Sequence, residues 1–84
     1  MTEAEIRQAL RALMQESEEC KYRDDVGDEE GLREAGVMDS FDMIRFVVRI
    51  EERFAIQMAP EDLSEDAFTS IASISRLLVG KVGA

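Results

Sequence analysis

From Phe41 to Phe54, apolar side chains return every three or four residues, at Phe41, Ile44, Val47, Val48, Ile50 and Phe54. Residues three and four apart share one face of a helix, so this spacing dictates a helix and excludes the two-residue alternation of a half-buried strand. The run follows Gly36-Val37-Met38-Asp39-Ser40. Gly36 supplies an open backbone before the helix, and Asp39 suits the N-cap, with Asp42 three positions on in the first turn. A helix is therefore expected over about 40–54. As the most apolar element it is expected to be central, with Ile44, Val47, Val48, Ile50 and Phe54 in the core. Arg45 and Asp42, and Arg49 and Glu52, stand three apart, where a pair contributes roughly 0.2–0.5 kcal/mol.

The flanking segments carry the same period. Thr2-Glu3-Ala4-Glu5 reads as a capping box, after which Ile6, Ala9, Leu10, Leu13 and Met14 form one stripe, giving a helix over about 2–16. Pro60, followed by Glu61 and Asp62, opens a short helix over about 60–66. Thr69 is placed to cap a last helix over about 69–79, with Ile71, Ile74, Leu77 and Leu78 facing inward, core residues among them Ile71 and Ile74, and Gly80 and Gly83 ending it. Three longer helices and a short one make an all-α fold, a small four-helix bundle with a long first loop, and residues 1–84 read as one domain.

The loop from Ser17 to Met38 is long for so small a fold, which points to packing rather than idle connection. Leu32, Ala35 and Val37 are the expected pins, with a short helical turn near 28–35. Its acids Asp24, Asp25, Asp28, Glu29 and Glu30 suggest a calcium loop. Placing Gly31 or Gly27 at the sixth position puts Val26 or Tyr22 at the first, so the motif fails and a solvated acidic loop is expected.

Charge narrows the partners. The net charge is −9, with nine acids against three bases over residues 16–34 and eight against three over residues 39–66. Such a surface repels nucleic-acid phosphates and anionic lipid and attracts basic protein surfaces. The chain has no histidine and a single cysteine, Cys20 beside Glu18 and Glu19. Imidazole-dependent catalysis, Cys/His zinc sites and an internal disulfide are thereby excluded, and Cys20 reads as an incidental thiol. Without an apolar run of membrane-spanning length or a signal-peptide pattern, a cytoplasmic location is expected.

Ser40 carries the functional question. A nucleophilic serine needs a base, and only Lys21 and Lys81, in loop or tail positions, are lysines; no catalytic residue and no metal ligand is assigned. Asp-Ser before an apolar run is most simply a helix start. A hydroxyl at a helix N-terminus also suits a phosphate ester, because free N–H groups and the positive dipole end stabilise it. Met38, Phe41 and Met43 flank Ser40 and fit either a core or an apolar docking rim.

The stretch Gly36-Val37-Met38-Asp39-Ser40-Phe41, the Ile44, Val47, Val48 stripe, Glu51-Glu52-Arg53-Phe54, Pro60-Glu61-Asp62-Leu63 and Phe68-Thr69-Ser70-Ile71 together resemble the acyl carrier protein family over about residues 2–79. The resemblance implies a non-catalytic carrier. Ser40 would receive 4'-phosphopantetheine from coenzyme A through a separate, magnesium-dependent phosphopantetheinyl transferase, and the arm's thiol would hold an acyl or aminoacyl group as a thioester. It implies further partners: a loading ligase and a downstream synthase or transferase, meeting a monomeric carrier through Asp39, Phe41, Asp42, Met43, Arg45, Glu51 and Glu52. Fatty-acid carriers usually read Gly-x-Asp-Ser-Leu. Here Val37 and Met38 both separate Gly36 from Asp39, and Phe41 replaces leucine, a spacing more similar to stand-alone D-alanyl or aminoacyl carriers and to peptidyl carriers. Arg45 and Arg49 also stand where many fatty-acid carriers are acidic or neutral. A dedicated biosynthetic pathway is expected; the alternative is an acidic helical interaction module without a prosthetic group.

Overall fold

The computed structural model describes residues 1–18, 20–64 and 66–82. Three α-helices, α1 (Glu3–Glu16), α2 (Ser40–Phe54) and α3 (Ile71–Lys81), and one 3-10 turn (Pro60–Asp62) make up its regular structure. The all-helical expectation holds for the described residues, but the fourth helix is a single turn.

α1 begins as its sequence predicts. The Thr2 hydroxyl accepts the Glu5 N–H at 3.2 Å, and the Glu5 carboxylate accepts the Thr2 N–H at 2.8 Å. These bonds satisfy N–H groups left open by the first turn. They also hold the Glu5 carboxyl below its ordinary pKa, the backbone bond from Thr2 being the main cause. Ile6, Leu10, Leu13 and Met14 are buried along one stripe.

α1 packs chiefly against α3 and less against α2, which corrects the expectation that the second helix is central. α3 buries Ile71, Ala72, Ile74, Ser75 and Leu78, whereas α2 buries only Phe46 and Ile50. Ile44 and Val48, expected in the core, are 67% and 52% exposed. α2 is apolar around much of its circumference: Phe46 and Ile50 enter the core, whereas Phe41, Ile44 and Val48 lie on another side and stay exposed.

The ends of the later elements also shift. Ser70, not Thr69, caps α3: its hydroxyl accepts the Ser73 N–H at 3.1 Å while Ser73 Oγ accepts the Ser70 N–H at 2.9 Å. The Thr69 carbonyl instead accepts the Leu32 N–H at 2.8 Å. Gly80 does not end the helix, which runs on to Lys81, whose ammonium pairs with Asp62; Gly83 lies outside the described residues. The expected 60–66 helix stops at Asp62, with Glu65 outside the described residues. Asp62 Oδ2 accepts the Ala59 N–H at 2.9 Å, closing the turn, and the exposed Leu63 gives no apolar face to extend it.

The long loop is part of the core. Leu32 and Val37 are buried and Ala35 half-buried, as expected, and Val26 and Met38 join them. Of its acids, Asp24, Asp25, Glu29 and Glu30 are exposed, as expected, and Asp28 is the exception. Asp28 meets Arg7 and Arg11 of α1, and its carbonyl accepts the Ala72 N–H of α3 at 2.8 Å; Glu29 pairs with Arg76.

Candidate functional site

Three loop features place the start of α2. Gly36 has φ of 75°, a left-handed backbone that costs a side chain strain. Next, Val37 donates its N–H to the Leu32 carbonyl at 2.9 Å and accepts the Lys21 N–H at 2.7 Å, which fixes the spacer. Val37 and Met38 then turn inward and are buried, so Met38 belongs to the core and not to a rim.

Asp39 follows as the N-cap. Its Oδ1 accepts the Asp42 N–H at 2.8 Å, and Asp42 Oδ2 accepts the Asp39 N–H at 3.2 Å. The Asp42 backbone bond is the main reason the Asp39 carboxyl sits below its ordinary pKa, with Arg45 contributing. Ser40 is thereby relieved of capping. It is exposed at the first position of α2, and its hydroxyl has no hydrogen-bond partner among the described residues.

Beside Ser40 lies a groove of about 490 Å³ between α2 and the segment before α3. Ser40, Met43, Ile44, Val47 and Val48 form its helical wall, while Leu63 and Phe68 face them and Arg33, Glu34 and Asp66 border it. The helix period explains the wall, since positions 40, 44, 47 and 48 lie on one side of the cylinder. Ser40 stands at the N-terminal end of that row. The groove can take an apolar or extended chain, and its lining holds no histidine or lysine to activate the serine as a nucleophile.

The predicted contact residues divide. Phe41 is 75% exposed and Arg45 and Glu52 are exposed, so all three are accessible. Met43 lies half-buried in the groove wall, Asp42 is engaged at the cap, and the Glu51 carboxylate accepts the Met58 N–H at 2.9 Å, holding the chain after α2. The opposite wall, Leu63 and Phe68, was missed by sequence reasoning because it comes from a segment with no period. The only signal was an isolated leucine and phenylalanine in a polar stretch. Among the described residues no cluster of acids and thiols could hold a metal ion, and no helix is long and apolar enough to cross a membrane.

Residues 8–78 match the family model described as phosphopantetheine attachment site. No curated protein matches the chain. Among solved structures, the fold matches the carrier protein from Agrobacterium tumefaciens in complex with an engineered Bradyrhizobium japonicum glycine:[carrier protein] ligase and ATP. That match has a TM-score of 0.76 at 24% identity, covering 87% of this chain and 95% of that one. A second is the glycylated carrier protein in complex with the Bradyrhizobium japonicum ligase, with a TM-score of 0.66 at 17% identity and coverage of 89% and 96%. At these identities the likeness is one of fold.

Proposed function

The chain belongs to the phosphopantetheine attachment site family, and we propose that Ser40 is the residue that bears its 4'-phosphopantetheine. The observation that carries this assignment is the division of labour at the start of α2, where Asp39 caps the helix and leaves the Ser40 hydroxyl exposed, with no hydrogen-bond partner among the described residues. Ser40 Oγ would take the phosphopantetheinyl group of coenzyme A, forming one P–O bond while the bond to the adenosine bisphosphate breaks. The Ser40 proton passes to a base of the transferase, since this chain has no histidine to receive it. When bound, the group supplies a thiol that carries cargo as a thioester. The N–H groups and dipole of the first turn suit the resulting phosphodiester.

The whole of residues 1–84 would then work as one cytoplasmic, monomeric carrier domain. Phosphopantetheinyl transferase, a loading ligase and a downstream synthase or transferase would be its successive partners, meeting it near Asp39, Phe41, Asp42, Met43, Arg45, Glu51 and Glu52. The Val37-Met38 spacer and the fold shared with carriers of a glycine:[carrier protein] ligase support an aminoacyl cargo in a dedicated pathway.

Incubation with coenzyme A and a broad-specificity phosphopantetheinyl transferase tests the reading. The intact mass should rise by one phosphopantetheine in the parent chain and not in Ser40→Ala. A mass unchanged in the parent, or a gain that persists in the variant, overturns the assignment.

A further inference from the structure

Ser40 stands among carboxylates. Asp39 and Asp42 close the cap beside it, and Glu34 and Asp66 border the groove that it lines, in a chain of net charge −9. A phosphodiester on Ser40 adds a further negative charge at this spot. The helix start offsets only part of it, because the Asp42 N–H is taken by the Asp39 carboxylate at 2.8 Å and the Phe41 N–H helps to hold the same carboxylate charged.

Two cations of the long loop are placed to offset the rest. Arg33 lines the groove together with Ser40, and it also lines a second hollow of about 210 Å³, whose walls include Lys21, the Val37-Met38 spacer and the capping Asp39 and Asp42. Both hollows reach the first turn of α2, and Arg33 is common to them. Lys21 comes to the second one because its N–H donates to the Val37 carbonyl at 2.7 Å, which joins its backbone to the spacer that leads into Asp39 and Ser40. Both side chains are exposed, and the Lys21 ammonium has no partner among the described residues. Arg33 has a contact of its own, but a guanidinium presents five N–H donors in a fork, so it can serve an additional anion. The cap does not occupy either cation: after the Asp42 and Phe41 amides, Arg45 is the cation that acts on the Asp39 carboxyl.

We infer that Lys21 and Arg33 form a clamp for the phosphodiester that joins phosphopantetheine to Ser40. A diester has two non-bridging oxygens that share its charge, one for the guanidinium on the groove side and one for the ammonium on the spacer side. This clamp presupposes the Ser40 assignment and adds to it a place for the diester's charge, within the chain itself and outside α2. A held diester also fixes the direction in which the arm leaves the serine.

The 15N-labelled chain is loaded with coenzyme A and a broad-specificity phosphopantetheinyl transferase, and loading is checked by intact mass before any spectrum is read. A missing mass gain overturns the Ser40 assignment and the clamp together, whereas failure of the clamp alone shows in the spectra of a loaded chain. On loading, the Arg33 Nε–H signal should shift, and by more than that of Arg53 at the far end of α2. This comparison needs no variant. The 31P signal of the loaded chain should move in Lys21→Gln and in Arg33→Gln, return towards the parent position in Arg33→Lys, and stay in place in Arg53→Gln. The differences should shrink as salt is raised, since both cations are exposed. An Arg33 Nε–H shift no larger than that of Arg53, a 31P signal unchanged in Lys21→Gln or in Arg33→Gln, or an equal movement in Arg53→Gln overturns the clamp.

Discussion

Asp28 in the long loop and Arg7 in α1 are joined by an ion pair of 2.9 Å, although 21 positions separate them. Arg11, one turn further along α1, reaches the other carboxylate oxygen at 2.5 Å and the Tyr22 hydroxyl at 3.0 Å. Because the Asp28 carbonyl also accepts the Ala72 N–H, one loop residue links α1 to the first turn of α3. Four residues on, the Leu32 N–H donates to the Thr69 carbonyl, which ties the loop to the segment that closes the groove.

Asp28→Asn should therefore loosen both helices' hold on the loop. The side chains are only partly exposed, so the loss is placed between a surface pair and a buried one, at about 1–2 kcal/mol. Hydrogen exchange gives the sharper reading. The Leu32 and Ala72 amides should exchange faster in the variant while those in the middle of α1 change less. Uniform acceleration across the chain would mean that Asp28 contributes global stability without this local role.

The same residue gives stability a pH dependence. Asp28 is held below the ordinary carboxylate range, first by the Arg11 hydrogen bond and then by Arg7. A carboxylate with a depressed folded pKa contributes stability that is complete above its unfolded value, about 4, and is lost as pH falls through the folded one. Asp39 and Asp62 are shifted the same way, by the Asp42 N–H and by Lys81 respectively. Unfolding free energy should thus decline on acidification below about pH 4, and less steeply in Asp28→Asn than in the parent chain. Parallel pH profiles from urea titrations would refute the assignment.

Phe46→Ala should cost about 3–5 kcal/mol, the range for a fully buried aromatic, because its side chain is inaccessible to solvent. Ile44→Ala and Val48→Ala should stay within about 0.5 kcal/mol, as exposed positions do. Urea midpoints of the three variants decide which face of α2 is the core, and a large loss at Ile44 would mean that the helix is rotated.

Ser40→Ala should likewise change stability by no more than about 0.5 kcal/mol, because the cap is Asp39 and the hydroxyl has no partner among the described residues. Asp39→Ala should lower the melting temperature clearly, and Asp39→Asn less, since asparagine also caps. A Ser40→Ala loss equal to that of Asp39→Ala would show the serine to be part of the cap.

These contrasts also mark what was legible in the sequence. The Thr2 and Asp39 caps and the bend at Gly36 depend on residues within three or four positions, so their chemistry is written locally. The face of α2 was not legible, because apolar residues cover more than one side of the helix and its period alone does not choose Phe46 over Ile44. Nor was the Asp28 clamp, which a run of acids disguises as a solvated loop until α1 brings two arginines to it. Leu63 and Phe68 illustrate a third case, since a groove wall built from aperiodic chain leaves no pattern to detect.

The two left-handed residues give a last, paired prediction. Gly36 and Ala55 have φ of 75° and 54° and stand on either side of α2, but only one is a glycine. A Cβ at Gly36 would meet nothing within 4 Å, so the cost of Gly36→Ala is backbone strain, about 1–2 kcal/mol. Ala55 already bears that strain where its N–H caps the Glu51 carbonyl. Ala55→Gly relieves it against a loss of about 0.4–1 kcal/mol through the freer unfolded chain, so a net gain of up to about 1.6 kcal/mol is expected. The two changes differ in consequence as well as sign. Gly36 leads directly into Val37, Met38 and Asp39, so Gly36→Ala should also slow modification of the chain by a phosphopantetheinyl transferase, whereas Ala55→Gly, at the far end of α2, should leave that rate unchanged. Opposite shifts in urea midpoint, together with a rate change in Gly36→Ala only, are the expected result; a neutral Gly36→Ala would mean that the loop reaches Asp39 without the left-handed bend.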